Sequence, residues 1–236
     1  MTPPRWLYHP SEPLPESCDP VATLGGKGAA LRMFCAAGLP TPPCFTIATG
    51  ACREYLALGR RWPDGLWEQL VEAIGELERI VGRPFSDTSW PLLLAIRSGA
   101  PVSMPGMLLT LLNCGLTRRM AESLDEATLW TAYAQFVSDF AAATGVELCA
   151  GVDDVERHDA RRDCLRLLDH YERVCGRPFP QDPWDVLRQC ISAVFDSWSS
   201  ERAATFRRLH QLDAASGTAV TVQAMLATEA AGVLFS

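Results

Sequence analysis

Lysine is nearly absent from this sequence. Among 236 residues there is one, Lys27, and every other basic side chain is arginine. Positive charge as a whole is scarce: the net charge is −7 and the isoelectric point about 5.1. A surface of that sign gives no general reason to bind nucleic acid or an anionic membrane. No CxxC pair occurs among the nine cysteines, and the four histidines stand in no metal-ligand spacing with them. The scattered, odd-numbered cysteines therefore read as free thiols of a reducing cytosol, not as a zinc site or a disulfide framework. No apolar run approaches the ~18 residues of a membrane span. The N-terminal Met1-Thr2-Pro3-Pro4-Arg5 lacks the apolar core of a signal peptide. The expected location is cytoplasmic. Nucleophilic catalysis is also poorly represented, since no Gly-x-Ser-x-Gly elbow is present and no cysteine has a nearby histidine in a strand–turn setting.

What is present centres on Leu24-Gly25-Gly26-Lys27-Gly28-Ala29-Ala30. An ammonium is a compact charge on a flexible stem, whereas a guanidinium is a planar fork. One lysine among three glycines suits a position where a small cation must sit beside exposed backbone. Glycine turns that lead into a helix bind phosphate groups in this way. The spacing fits neither a P-loop, which needs four residues between its glycines, nor a dinucleotide fingerprint. The bland alternative is a glycine turn carrying a solvated lysine.

The rest of the chain alternates between strand and helix signals. Residues 1–20 are rich in proline and glutamate, with Trp6 and Tyr8 as anchors or the start of an edge strand. A helix is expected over 29–37, stopped at Gly38, followed by a strand at 44–49 and a short helix at 51–58. Asp64 is the expected N-cap of a longer helix whose stripe is Leu66, Leu70, Ile74, Leu77 and Val81, ended by Gly82. Pro91–Ile96 reads as a buried strand delivering Arg97 into the small-residue loop Ser98-Gly99-Ala100. Against that stands the reading of Arg97 as a structural ion pair. A turn-rich loop with two methionines, Ser103-Met104-Pro105-Gly106-Met107, comes next, and core-filling methionines are its alternative.

From about 117 to 177 the pattern is helical. Asp182-Pro183 starts a further helix with N-cap and N1 proline, and 201–209 makes another. Gly-Arg-Pro-Phe occurs at 82–85 and again at 176–179, as similar helix exits. The acidic cluster Asp153, Asp154 and Glu156 reads as a solvated face. Residues 217–226 form a strand on which Gln223 and Met225 share a face, and 232–236 reads as a second strand. Ending on an apolar strand implies a truncated chain, or one completed by another polypeptide.

Taken in order, these blocks resemble the N-terminal nucleotide-binding region of the pyruvate, phosphate dikinases. The resemblance rests on Leu24-Gly25-Gly26-Lys27-Gly28, Gly38-Leu39-Pro40 with Pro43 and Phe45-Thr46-Ile47, and Arg97-Ser98-Gly99-Ala100. It continues through Ser103-Met104-Pro105-Gly106-Met107, Leu112-Asn113, Gly115-Leu116, Val194-Phe195, Ser197-Trp198, Arg202-Ala203 and Gly217-Thr218-Ala219-Val220 with Val222-Gln223 and Met225. The methionine block is closer to the dikinase than to its relative phosphoenolpyruvate synthase. The resemblance implies an α+β fold: the first lobe of an ATP-grasp domain with a helical insertion, the second lobe missing. Its division would be 1–117 with 199–236 for the lobe and 118–198 for a helical subdomain.

The family reaction converts ATP, phosphate and pyruvate to AMP, diphosphate and phosphoenolpyruvate through a phosphohistidine on another domain. By position, Lys27 and Arg97 resemble the triphosphate-binding residues, with Gly25, Gly26 and Gly28 around the lysine. Ser98, Gly99, Ser103, Met104, Gly106 and Met107 resemble the loop over the phosphates, and Gln223 with Met225 lies near the adenine. ATP is the implied ligand, with Mg²⁺ held by ligands outside this chain. A chain supplying the second lobe, phosphohistidine and pyruvate domains is the implied partner. Leu109 stands where the family usually has an aspartate. On these grounds the chain is expected to be inactive alone. The competing reading is a non-catalytic regulatory or scaffold protein that keeps a degenerate half-fold.

Overall fold

Strand β5 (Ala219–Ala224) shows how the sequence builds two unlike faces. Val220, Val222 and Ala224 alternate with Ala219, Thr221 and Gln223, and alternation at period two places the sets on opposite faces. The computed structural model describes residues 4–86, 91–102, 104, 106, 108–148, 159–226 and 232. In chain order the elements are β1 (Leu7–Tyr8), α1 (Pro20–Ala36), β2 (Cys44–Ile47), α2 (Thr49–Ala57), α3 (Leu66–Val81), β3 (Leu94–Gly99) and β4 (Thr110–Cys114). Helices α4 (Arg118–Leu124), α5 (Ala127–Ala143), α6 (Ala160–Cys175), α7 (Pro183–Ser197) and α8 (Glu201–Leu209) follow, then a 3-10 turn at Ala214–Ser216 and β5.

The five strands form one antiparallel sheet in the order β1-β2-β5-β3-β4. The α+β architecture is as expected. One face carries Leu7, Phe45, Ile47, Leu94, Ile96, Leu111, Val220 and Val222, all buried in the main core. That core continues through Ile74 and Leu77 of α3, Phe136 and Phe140 of α5, and Leu187, Ile191 and Phe195 of α7. Each such side chain contributes about 1.5–3 kcal/mol on leaving water. Among the described residues no helix is long and apolar enough to cross a membrane.

Several local signals act as expected. Asp182 accepts from the Trp184 and Asp185 amides at 2.8 and 3.3 Å, with Pro183 opening α7. Gly82 and Gly176 close α3 and α6 in the left-handed conformation. Each exit then buries its phenylalanine. Phe85 stands edge-on to Trp184 at 5.3 Å, and Phe179 sits among Tyr133, Phe136, Phe140 and Tyr171 at 5.1–6.1 Å. The eight described cysteines are all free thiols.

Other expectations need correction. Helix α1 starts at Pro20, capped by the Asp19 carboxylate on the Ala22 amide at 2.6 Å, and not at Ala29. The glycines lie inside it, where Gly25 adopts φ 67° and ψ 170° and makes a kink with helix on both sides. Gly65, left-handed at φ 78°, occupies the N-cap of α3 in place of Asp64, and no side chain caps that helix. Arg97 and Ser98 belong to strand β3, not to a loop. Pairing with Thr221 and Val220 of β5 carries the ladder on to Gly99. The second terminal strand, apart from Gly232, and the acidic cluster at 153–156 lie outside the described residues.

Candidate functional site: the polar face of the sheet

Opposite the core, one row of residues crosses all five strands: Tyr8, Thr46, Thr221, Arg97 and Thr110, each the register partner of the next. The neighbouring row is Cys44, Gln223 and Ala95. Helix α1 lies over part of this face. It buries only Leu24, Gly25 and Gly28, so glycine, not bulk, sets how low it sits.

The close approaches explain the glycines. A Cβ on Gly25 would stand 1.8 Å from the Gly99 carbonyl oxygen, and one on Gly28 would meet Leu24 and Thr46 at 2.8–3.0 Å. The Gly26 amide donates to the Ala100 carbonyl at 2.9 Å. Beneath α1 the Thr46 and Thr221 hydroxyls pair at 3.2 Å, both buried. Toward β3 and β4 the cover ends: Arg97 and Gln223 are half-buried and Thr110 is exposed.

Lys27 stands at that margin. Its Nζ donates to the Ser98 carbonyl at 2.6 Å, and its Cβ lies 3.8 Å from where a Cβ on Gly99 would be. Desolvation of the ammonium, and then the positive charge of Arg97, hold its pKa below the ordinary lysine value. Arg97 Nε is buried with no hydrogen-bond partner. Neither cation has an ion-pair partner among the described residues. Two adjacent cations without a carboxylate, one with an unfilled donor costing about 1–3 kcal/mol, are the electrostatics of an anion site. The alternative of Arg97 as a structural ion pair finds no support there.

The remaining residues divide. Gln223 lies in the row beside Arg97. Met225 follows the end of β5, and its sulfur accepts from the Asn113 amide at 3.1 Å, where β4 bulges and Asn113 takes φ 61°. Ser98 is buried and presents its carbonyl to Lys27. Met104 is 7% exposed and belongs to the main core, while Gly106 is exposed with φ 67°. Ser103 and Met107 lie outside the described residues. Leu109 packs against the core and gives its carbonyl to the Ser98 amide at 3.1 Å.

Thr110 and Thr221 did not stand out from sequence motifs, and Thr46 and Asn113 stood inside resembling blocks without a role of their own. The period-two alternation of Thr221 and Gln223 with valines carried the signal for the polar row.

Comparison with known proteins shows the family of the chain. A family model described as "Pyruvate phosphate dikinase, AMP/ATP-binding domain" matches residues 56–236. The chain is 40% identical over 94% of its length to pyruvate, phosphate dikinase of Rhizobium meliloti (strain 1021), covering 27% of that protein. It is 37% identical over 90% of its length to the chloroplastic pyruvate, phosphate dikinase 1 of Arabidopsis thaliana, covering 25%. The form from Oryza sativa subsp. japonica is 36% identical over the same share. The chain thus spans about a quarter of the length of the curated relatives it matches. With its mixed helix and antiparallel sheet and its match over residues 56–236, the chain belongs to the pyruvate phosphate dikinase AMP/ATP-binding domain family.

Proposed function

We propose that this chain is one jaw of an ATP grip: the first lobe of an ATP-grasp domain serving a pyruvate, phosphate dikinase-like phosphotransferase in the cytoplasm. The observation that carries the reading is the unpaired Lys27 and Arg97 couple on the open polar face, with a buried donor unfilled. The nucleotide lies along that face, its phosphates between Lys27 and Arg97 and its base toward Gln223 and Met225. The lobe comprises 1–117 and 199–236, with 118–198 as the helical insertion.

Phosphoryl transfer depends on positioning and charge neutralisation more than on covalent help from the protein. What this chain contributes is two cations on different elements, one on a helix and one on a strand. Among the described residues no group of three or more His, Cys, Asp or Glu side chains is placed to hold a metal ion. Mg²⁺, which is commonly held by one or two carboxylates together with substrate phosphates, would take its protein ligands from outside these residues. The phosphohistidine and pyruvate chemistry belongs to domains other than this one, and turnover by these 236 residues alone is not expected.

Calorimetric titration with ATP, with and without Mg²⁺ and a chain carrying the second lobe, tests the proposal. Lys27→Ala and Arg97→Ala should each weaken binding by about 10- to 100-fold, the loss of one charge-assisted contact. Arg188→Ala, remote on α7, should leave it unchanged. Absence of binding under all these conditions rejects the reading in favour of a non-catalytic scaffold.

A further inference from the structure

Arg207, on α8, is the one charged side chain among the described residues that is fully buried, at 7% exposure. It has no carboxylate partner among the described residues, and its Nε is buried without a hydrogen bond there. Nη1 donates to the Trp198 carbonyl at 2.5 Å, and the guanidinium carbon lies 4.1 Å above the Trp198 ring. Burial pushes its pKa down. A buried charge of this kind is seldom the most stable choice for a core position, so its contacts indicate its use. Its hydrogen bond and its ring contact both go to Trp198.

Trp198 in turn lines a small cavity of about 50 Å³ with Ala100, Pro101, Met104, Leu212 and Ser216. Met104 is itself buried there. The stretch leading to Met104 begins at residues that meet helix α1: the Ser98 carbonyl takes the Lys27 ammonium and the Ala100 carbonyl takes the Gly26 amide. Ser98, whose carbonyl holds Lys27, and Met104, which lines one cavity with Trp198, are six residues apart in the chain.

We propose that Arg207 is a positioning residue for the nucleotide site: it holds Trp198 as the seat of Met104, and that seat helps fix Ala100 and the strand end that meets Lys27. The functional half of this statement rests on the ATP-binding reading above. The seat itself does not.

Methionine oxidation by hydrogen peroxide, mapped by mass spectrometry without ATP, reads the seat. Each thioether takes one oxygen from the peroxide and leaves water. In the unmodified chain Met33, 61% exposed, should react quickly, while Met104 and Met120, at 7% and 2%, stay protected. Arg207→Met should move Met104 toward the Met33 rate and leave Met120 protected. Arg207→Lys, which keeps a cation and a donor, should remain near the unmodified chain. Trp198→Phe provides the same reading should Arg207→Met fail to fold. ATP affinity should fall by roughly 2- to 30-fold in whichever variant frees Met104.

Continued protection of Met104 in a folded variant overturns the proposal. So does joint exposure of Met104 and Met120, which marks general loosening. Release of Met104 with unchanged ATP affinity removes the positioning role and leaves the nucleotide reading intact. No ATP binding by the unmodified chain refutes the nucleotide reading, and the positioning role with it, while the oxidation rates still judge the seat.

Discussion

Gly25→Ala tests whether the glycines of α1 set its height on the sheet. The added Cβ would stand 1.8 Å from the Gly99 carbonyl oxygen and 2.5 Å from its carbon, both backbone atoms with no rotamer to escape into. The residue must also keep φ 67° and ψ 170°, a region essentially confined to glycine, where a side chain costs about 1–3 kcal/mol. Relief requires α1 to lift from β3. That breaks the Gly26 amide bond to Ala100, at about 0.5–1.5 kcal/mol, and loosens the Lys27 contact with Ser98. Together these give a loss of about 3 kcal/mol, or roughly 6–12 °C in Tm for a chain of this size.

Gly26→Ala is the internal control. Its Cβ would meet nothing closer than the Ala100 carbonyl oxygen at 3.7 Å, an ordinary contact. In a helical position alanine then gains about 0.5–1 kcal/mol over glycine. Scanning calorimetry or urea unfolding of both variants separates them. Equal effects would refute the close-approach argument and return the glycines to a flexible turn.

Other expected outcomes concern charge, caps and core. Lys27 binds its proton less tightly folded than unfolded, so between the folded value and the ordinary lysine value the unfolded chain holds more protons and stability rises with pH. Lys27→Met removes that rise in urea unfolding across the alkaline range. It is read as a difference from the unmodified chain, because buried Cys44 and Cys52, raised to about 11, act in the opposite sense. Thiol labelling of the native protein should modify Cys18, Cys35 and Cys175 and spare the buried Cys44, Cys52, Cys114, Cys164 and Cys190 until denaturant is added. Labelling of Cys52 at the rate of Cys18 would contradict the described burial. Asp182→Ala deletes the side-chain cap of α7 and should cost about 1 kcal/mol by urea unfolding. Phe179→Ala removes the ring shared by four aromatic neighbours and should cost about 3–5 kcal/mol by the same measurement.

The sequence was most legible where a local rule had no competitor. Asp182-Pro183 opened a helix because cap and proline act within one turn, and Gly82 and Gly176 ended helices because a left-handed residue there favours glycine. The same cap signature, Asp19-Pro20, marks the true start of α1. The glycines six residues on read as a loop, since close approach to a distant strand leaves no local trace. Arg97 was legible as a charge at the end of an apolar run. Its place inside β3 was not, because pairing with β5 depends on residues more than a hundred positions away. Burial of Arg207 carries no sequence signal at all: in α8 it looks like the solvated arginines around it, Arg202 and Arg208.

The chemistry of the two cations accounts for the one lysine in a chain that otherwise uses arginine. A guanidinium is a flat fork suited to a paired acceptor, and beside Arg97 it would bring two such forks together in a narrow margin between helix and strand. An ammonium has three donors around one atom. At position 27 one of them is committed to the Ser98 carbonyl at 2.6 Å, and on the proposed reading the other two serve an incoming oxyanion. The same contact ties the lysine to the strand that carries Arg97. On the proposed reading a polyanion must reach this pair on a protein of net charge −7, so recognition would rest on local geometry against a net charge that repels it.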